Sequence, residues 1–290
     1  MAGKIQTIKD IRIYLTSELK AVYPSEELIA ISDLVITSVL GIRTRMQILN
    51  YEKDISREQS DEIYRICREL VTGKPIQYII GETSFYGCRI LVDPSTLIPR
   101  QETEELVDLI IRENRNYTGC ITDLGTGSGS IAIALALNLP GSSVTATDIS
   151  AAALKVAGAN AELNKVSVNF LPDDILNLEN SELSLSGIVV SNPPYIRNSE
   201  KSAMHSNVID FEPHTALFVD DDDPLVFYRA ILRRVAGNGE NVTKIYFEIN
   251  EALGKEMIGL MKEYSLSETG IVKDINGKDR IAKGVRYGRK

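Results

Sequence analysis

The chain is short of the residues that staple small proteins or build metal centres: its 290 residues include three cysteines and two histidines. Cys67, Cys88 and Cys120 lie far apart with no C-x-x-C pair, which argues against a disulfide framework or a zinc site and fits a reducing compartment. His205 and His214 have no third ligand or nucleophile at a recognisable spacing, so they read as surface or loop residues and no metal is expected. Long apolar runs are also missing. The stretch Ile131 to Leu137 falls far short of the roughly 20 residues that span a bilayer, and the N-terminus has no apolar leader core. A cytoplasmic protein without a membrane partner is the expectation. Positive charge is the scarcer sign, 32 basic against 40 acidic side chains, for a net charge of -8. That field repels phosphate backbones and argues against a stable nucleic-acid partner. No large apolar surface stripe stands out, which leaves the oligomeric state open with a monomer favoured.

What is present is an ordinary globular composition, 43% hydrophobic and 25% charged, on a chain long enough for roughly two domains. Up to about Thr72 apolar residues recur at helical spacing: Ile8, Ile11 and Leu15, then Leu28, Ile31, Leu34, Val35 and Val39, then Ile63, Ile66 and Leu70. Residues 1–74 therefore read as a small helical bundle, and its charges balance at 11 of each sign. The β-branched and aromatic stretches Ile76–Ile80 and Ser84–Val92, broken by Gly81 and Gly87, predict a bridging β-hairpin over residues 75–98. From residue 99 to 290 strand and helix alternate. Strands are expected at Cys120–Leu124, Val144–Thr147, Val166–Phe170, Gly187–Ser191 and Lys244–Glu248, with a closing antiparallel hairpin around Gly277. Such alternation predicts an α/β fold with a parallel sheet covered by helices on both faces. Cys120, opening a strand, reads as core.

The chemistry concentrates at two strand ends. Asp123-Leu124-Gly125-Thr126-Gly127-Ser128-Gly129 sits where a buried strand turns into an apolar helix, the place where α/β sheets meet ligands. Its glycines fall as G-x-G-x-G, which is not the dinucleotide fingerprint. The spacing resembles the S-adenosylmethionine loop of class I methyltransferases, and that resemblance implies that Asp123 faces the methionine amino group. Asp148, 23 positions after Gly125, ends the next strand, where a carboxylate can accept both ribose hydroxyls; capping the following helix is the competing role, open to Ser150 as well. By the same resemblance one of Asp173 and Asp174, with Asp174 preferred, meets the adenine amino group. Ser191-Asn192-Pro193-Pro194-Tyr195 follows the buried run Ile188–Val190, and its two prolines fix a rigid, donor-free corner. The Asn192 side chain and the Pro193 main chain offer two carbonyl acceptors for both hydrogens of a planar NH2 group, and Tyr195 can stack on it. Such a site suits an amide or an exocyclic base amine, whose delocalised lone pair must be aimed at an electrophile.

Together with Gly73–Gly81, Phe85-Tyr86-Gly87, Leu97–Glu104, Phe211–Leu217 and Val272–Arg280, these motifs resemble the protein-glutamine methyltransferases of the HemK/PrmC type, which modify class I peptide release factors. The resemblance covers most of the chain, and Pro99-Arg100-Gln101-Glu102-Thr103-Glu104 separates it from DNA adenine methyltransferases that share Asn-Pro-Pro-Tyr. It implies a seven-stranded, Rossmann-like class I fold with a helical N-terminal domain that helps grip the release factor. It also implies S-adenosylmethionine as cofactor and S-adenosylhomocysteine as product. The cofactor set is then Asp123, Gly125, Thr126, Gly127, Gly129, Asp148, Asp174 and Asn192. The catalytic set is Asn192, Pro193 and Tyr195, and Pro194, Arg100, Glu102 and Phe85 complete the substrate side. Phe85 and Tyr86 serve equally well as hairpin packing. Gln101, His214 and Asn250 stand where the family usually has proline, arginine and glycine.

The expected reaction is displacement at a sulfonium methyl by a glutamine amide nitrogen, driven by positioning and by acceptors matched to developing positive charge. No strong base is required, because the methylated nitrogen becomes acidic and sheds its proton afterwards. An adenine-N6 methyltransferase acting on DNA or RNA is the alternative, although it calls for a basic duplex-binding face. A non-enzymatic nucleoside-binding scaffold is a third reading, and it leaves Asn192 without a task.

Overall fold

A computed structural model describes residues 5–42, 47–48, 54–177, 183–238 and 241–287. The chain forms two compact units, residues 1–81 with 205–211, and residues 82–204 with 212–290.

The first unit is helical, as its periodicity predicts. Helices α1 (Ile8–Leu19), α2 (Ser25–Leu40) and α3 (Arg57–Val71) bury Ile11, Leu15, Leu28, Ile31, Val35, Ile63, Ile66 and Leu70 in one core. Leu34, expected on that apolar face, is exposed instead. Reciprocal capping boxes, Thr7 with Asp10 and Ser56 with Gln59, satisfy the first amides of α1 and α3. Tyr14 and Tyr64 meet edge to face at 5.1 Å, and the Tyr23 hydroxyl donates to the Leu70 carbonyl. Ile76–Ile80, expected as a strand, is a single helical turn, α4, entered at Pro75 and ended by left-handed Gly81. Ile76-Gln77-Tyr78-Ile79-Ile80 is too short to show a period, so the flanking proline and glycine decide the conformation.

The second unit opens with the hairpin β1 (Glu82–Phe85) and β2 (Cys88–Leu91), joined by Tyr86-Gly87 with both φ angles positive, as a two-residue hairpin turn demands. Helix α5 (Gln101–Glu113) then leads into β3 (Cys120–Leu124), α6 (Ser130–Asn138), β4 (Ser143–Asp148), α7 (Ala151–Asn164), β5 (Asn169–Pro172) and β6 (Ser186–Ser191). The short pair β7 (Ile196–Arg197) and β8 (Phe218–Val219) brackets two 3-10 turns and α8 (Ser206–Phe211). The chain ends through α9 (Val226–Asn238), β9 (Asn241–Glu248), α10 (Gly254–Glu263), β10 (Ser267–Lys273) and β11 (Asp279–Val285). The main sheet runs β10-β11-β9-β6-β3-β4-β5, with β9, β6, β3, β4 and β5 parallel and β11 antiparallel to both neighbours. This is the seven-stranded class I arrangement with its antiparallel closing hairpin. Its strand order reverses between β3 and β6, which brings the glycine loop and the Asn-Pro-Pro-Tyr corner to neighbouring strand ends. Strand β5 begins later than expected, at Asn169, because the helix before it closes only at left-handed Lys165. Cys120 is exposed rather than buried: it is the first residue of its strand, and its thiol meets the Ser143 hydroxyl.

Candidate active site

The glycine loop is built to come close to a ligand. Gly125, Gly127 and Gly129 all have positive φ, and the amides of Gly125 and Thr126 are both held by the Thr147 carbonyl of β4. A Cβ on Gly129 would lie 3.0 Å from that of Ala157, so this glycine is demanded by helix packing. A Cβ on Gly127 would meet nothing within 4 Å, so there the demand comes from the left-handed backbone, φ +55°, and the loop faces open space. Asn160, fully buried on α7, locks the base of the loop. Its amide donates to the carbonyls of Ser128 and Leu91 at 2.9 Å each and accepts the Leu91 N–H at 2.6 Å, tying loop to hairpin. Asn164 repeats that clamp one turn later on Arg89.

Beyond the loop lies a cavity of about 590 Å3, lined among others by Arg100, Thr103, Gly125, Thr126, Gly127, Asp148, Asp174, Asn192 and Pro194. Asp148 accepts the Gly127 N–H at 2.8 Å and the Ser150 N–H at 2.9 Å, one on each oxygen, which leaves lone pairs on both for a diol. The helix cap itself is Ser150, which accepts from Ala153. Asp173 is spent on a buried ion pair with Arg234 at 2.5 Å, whereas Asp174 only closes a local turn with the Leu176 N–H. Asp123 is fully buried. One of its oxygens accepts the Thr126 hydroxyl at 2.5 Å and the other, Oδ1, has no partner. Burial lifts its pKa to about 7; the Thr126 bond opposes that rise and the nearby Asp148 charge adds to it. A buried carboxylate oxygen without a donor at the foot of a glycine loop fits a cationic group such as the amino group of a bound amino acid. The donor set thus suits S-adenosylmethionine: a carboxylate for its ammonium, one for its ribose and one for its base.

The Asn192 corner rests on a polar cluster that sequence order hides. The Asn192 amide donates to Thr103 Oγ1 at 3.2 Å, the Thr103 hydroxyl donates to Glu248 Oε2 at 2.6 Å, and the Tyr195 hydroxyl donates to Glu248 Oε1 at 3.0 Å. Thr103 comes from α5 and Glu248 from the end of β9. Burial raises the Glu248 pKa, while its two hydroxyl donors and Arg280 hold it down. The Tyr195 hydroxyl is pushed well above its usual value by burial and by Glu248. Asn250, where the family favours glycine, donates to the Tyr195 carbonyl and to Glu200. Arg100 pairs with buried Glu212 at 2.5 Å on the cavity wall.

The expected residues therefore divide. Gly125, Thr126, Gly127, Asp148, Asp174, Asn192, Pro194 and Arg100 share one cavity. Gly129 and Asp123 support it from behind. Pro193, Tyr195 and Glu102 are not among its lining residues, and Phe85 is 1% exposed within the hairpin. Thr103, Glu248 and Asn160 were not expected at the site. The only sequence signal for the first two was their position, one in the Pro-Arg-x-Glu-Thr-Glu run and one at a strand end. Asp220–Asp223, read as a solvated loop, lies at the surface, where Asp221 holds the Ser199 amide and hydroxyl.

Family profiles match two stretches: "PrmC N-terminal domain" over residues 10–81 and "Methyltransferase small domain" over residues 103–212. A release factor glutamine methyltransferase of Flavobacterium psychrophilum is 41% identical over 280 residues, covering 95% of this chain and 98% of its own length. One of Bacteroides thetaiotaomicron is 41% identical, with coverage of 93% and 97%, and one of Bacillus subtilis is 39% identical over 76% of this chain and 79% of its own. Among solved structures, the hMettl16 catalytic domain in complex with MAT2A 3'UTR hairpin 1 aligns with a TM-score of 0.55 at 14% identity, covering 81% of this chain and 84% of that one. A human methyltransferase 10 domain containing protein aligns at 0.51 and 14%, covering 69% and 89%. These two share the fold alone.

Proposed function

The chain belongs to the release factor glutamine methyltransferases, and from that membership we propose how its residues divide the work. It is an S-adenosylmethionine-dependent enzyme that methylates the side-chain amide of a glutamine in class I peptide release factors. When bound, S-adenosylmethionine supplies an electrophilic sulfonium methyl group.

Asp123 neutralises the ammonium of the cofactor and in doing so gains the partner that Oδ1 lacks. Asp148 holds the ribose hydroxyls while keeping the glycine loop in place through Gly127. Asp174 serves the adenine amino group, because Asp173 is committed to Arg234. Asn192 Oδ1 and the Pro193 carbonyl accept the two amide hydrogens of the glutamine, which aims its nitrogen and favours the positive charge it develops. Tyr195 stacks on the amide, and its hydroxyl is anchored by Glu248. Pro194 shapes the wall. Arg100, braced by Glu212, and Glu102 meet the backbone around the glutamine, and Phe85 stiffens the hairpin beside them.

The observation that carries this division is the single cavity shared by Asn192 and the glycine loop. The helical part, residues 1–74, contributes to gripping the release factor, with residues 75–98 as a connector and 99–290 as the catalytic part. The enzyme acts in the cytoplasm as a monomer and holds no nucleic acid stably, in keeping with its charge of -8. Incubation with methyl-labelled S-adenosylmethionine and equal amounts of release factor and DNA tests the reading: label enters the release factor and not the DNA. Label in DNA overturns it.

A further inference from the structure

The hydroxyl of Thr103 has one proton, and the structure shows where it goes. The Thr103–Glu248 distance of 2.6 Å is that of a hydroxyl donating to a carboxylate, and the other Glu248 oxygen already receives the Tyr195 hydroxyl at 3.0 Å. With its proton committed, Thr103 Oγ1 can only accept from its neighbour. That neighbour is Asn192, so the NH2 end of the carboxamide must face Thr103 and the oxygen end is left for a ligand. A carboxamide is nearly symmetric in shape, and only its partners distinguish the two ends. An Asn192 turned the other way would offer a donor to the two amide hydrogens it has to accept.

We propose that Glu248, acting through the hydroxyl of Thr103, fixes the orientation of the Asn192 carboxamide with its oxygen toward the substrate amide, making Thr103 and Glu248 positioning residues for methyl transfer. This rests on the reading of Asn192 as the amide clamp. The two residues are 145 positions apart in sequence, on different elements, and both are buried. The Glu248 main chain is fixed as well, since its carbonyl accepts the Tyr228 hydroxyl at 2.9 Å. A carboxylate that served packing alone would have no need of a threonine whose oxygen passes on its polarity. Glutamine at position 248 would keep the shape, but its NH2 can donate to Thr103 and free the threonine proton to turn toward Asn192.

The test uses the full-length enzyme with a release factor substrate and compares Thr103→Val, Thr103→Ser, Glu248→Gln, Asn192→Ala and the double variant Thr103→Val/Asn192→Ala. Steady-state kcat and KM are read beside S-adenosylhomocysteine binding, which reports on folding. Thr103→Val is expected to lower kcat by roughly 10²-fold with KM and S-adenosylhomocysteine affinity little changed. Serine, which keeps the hydroxyl, restores most of kcat. In the Asn192→Ala background valine at 103 adds no further loss, because Thr103 acts only through Asn192. The proposal is overturned if valine leaves kcat intact, if serine fails to rescue it, or if the losses multiply in the double variant. Should Glu248→Gln fail to bind S-adenosylhomocysteine through misfolding, the threonine series decides alone. If Asn192→Ala itself keeps full kcat, the clamp reading falls first and the positioning role falls with it.

Discussion

In the proposed division of work Asp123 and Asn192 carry the two halves of the chemistry, and each can be probed with one substitution. Replacing Asn192 with alanine removes one preorganised acceptor, which is expected to lower kcat by roughly 10² to 10³ while S-adenosylhomocysteine binding, read by calorimetry, falls far less because the other cofactor contacts remain. A parallel loss of both would show that Asn192 serves the cofactor and not the amide. For Asp123 the sign follows from its raised pKa of about 7. In the unfolded chain the carboxyl ionises near the ordinary value, roughly 4, whereas the folded chain holds the proton until about 7. This group's contribution to stability is therefore greatest in acid, is lost between those values and is flat above them, a swing on the order of 4 kcal/mol. A cationic ligand group prefers the ionised form, so S-adenosylhomocysteine affinity is expected to rise from pH 6 to pH 8. Asp123→Asn should weaken binding and flatten that slope; an unchanged slope in the variant would place the titrating group elsewhere.

At the scale of elements, the glycine loop separates what packing demands from what a ligand demands. Gly129→Ala puts a Cβ against Ala157 at positive φ and is expected to lower Tm, whereas Gly127→Ala meets no protein atom and is expected to weaken S-adenosylhomocysteine binding with a smaller change in Tm. Asn160→Ala strips partners from Leu91 and Ser128 at once. With buried groups left unsatisfied, a loss of about 3 kcal/mol and a fall in Tm of roughly 5–10 °C are expected by scanning calorimetry. These elements also show what a sequence can carry. The alternation of strand and helix, the loop of Gly125 to Gly129 and the corner at Asn192 were legible because each is local: periodicity, φ demands and proline stiffness act over a few residues. Ile76–Ile80 has the β-branched and aromatic content of a strand yet forms a helical turn, because five residues are too few to show either period. The contact of Thr103 with Glu248 was not legible at all, since only the sheet order brings the end of β9 beside α5. Likewise Asp173 and Asp174 are equivalent in sequence, and only Arg234 on α9 separates them.

Over the whole molecule, the negative charge and the single shared cavity set the interactions. Ligand binding to the folded state adds stability by mass action, so S-adenosylhomocysteine at a hundred times its Kd is expected to add about 2.7 kcal/mol and to raise Tm by several degrees. A Tm indifferent to saturating S-adenosylhomocysteine would deny the cavity its cofactor. With a net charge of -8, retention on duplex DNA is expected to stay negligible even at low salt. In the proposed geometry the glutamine amide meets Asn192 Oδ1 and the Pro193 carbonyl at the Asn192 edge of the cavity that holds the cofactor. A crystal structure of the enzyme with S-adenosylhomocysteine and a release factor tests it directly. The glutamine nitrogen is expected at about 3 Å from both oxygens; a glutamine bound elsewhere, or an Asn192 that turns its NH2 end toward it, would rule this geometry out.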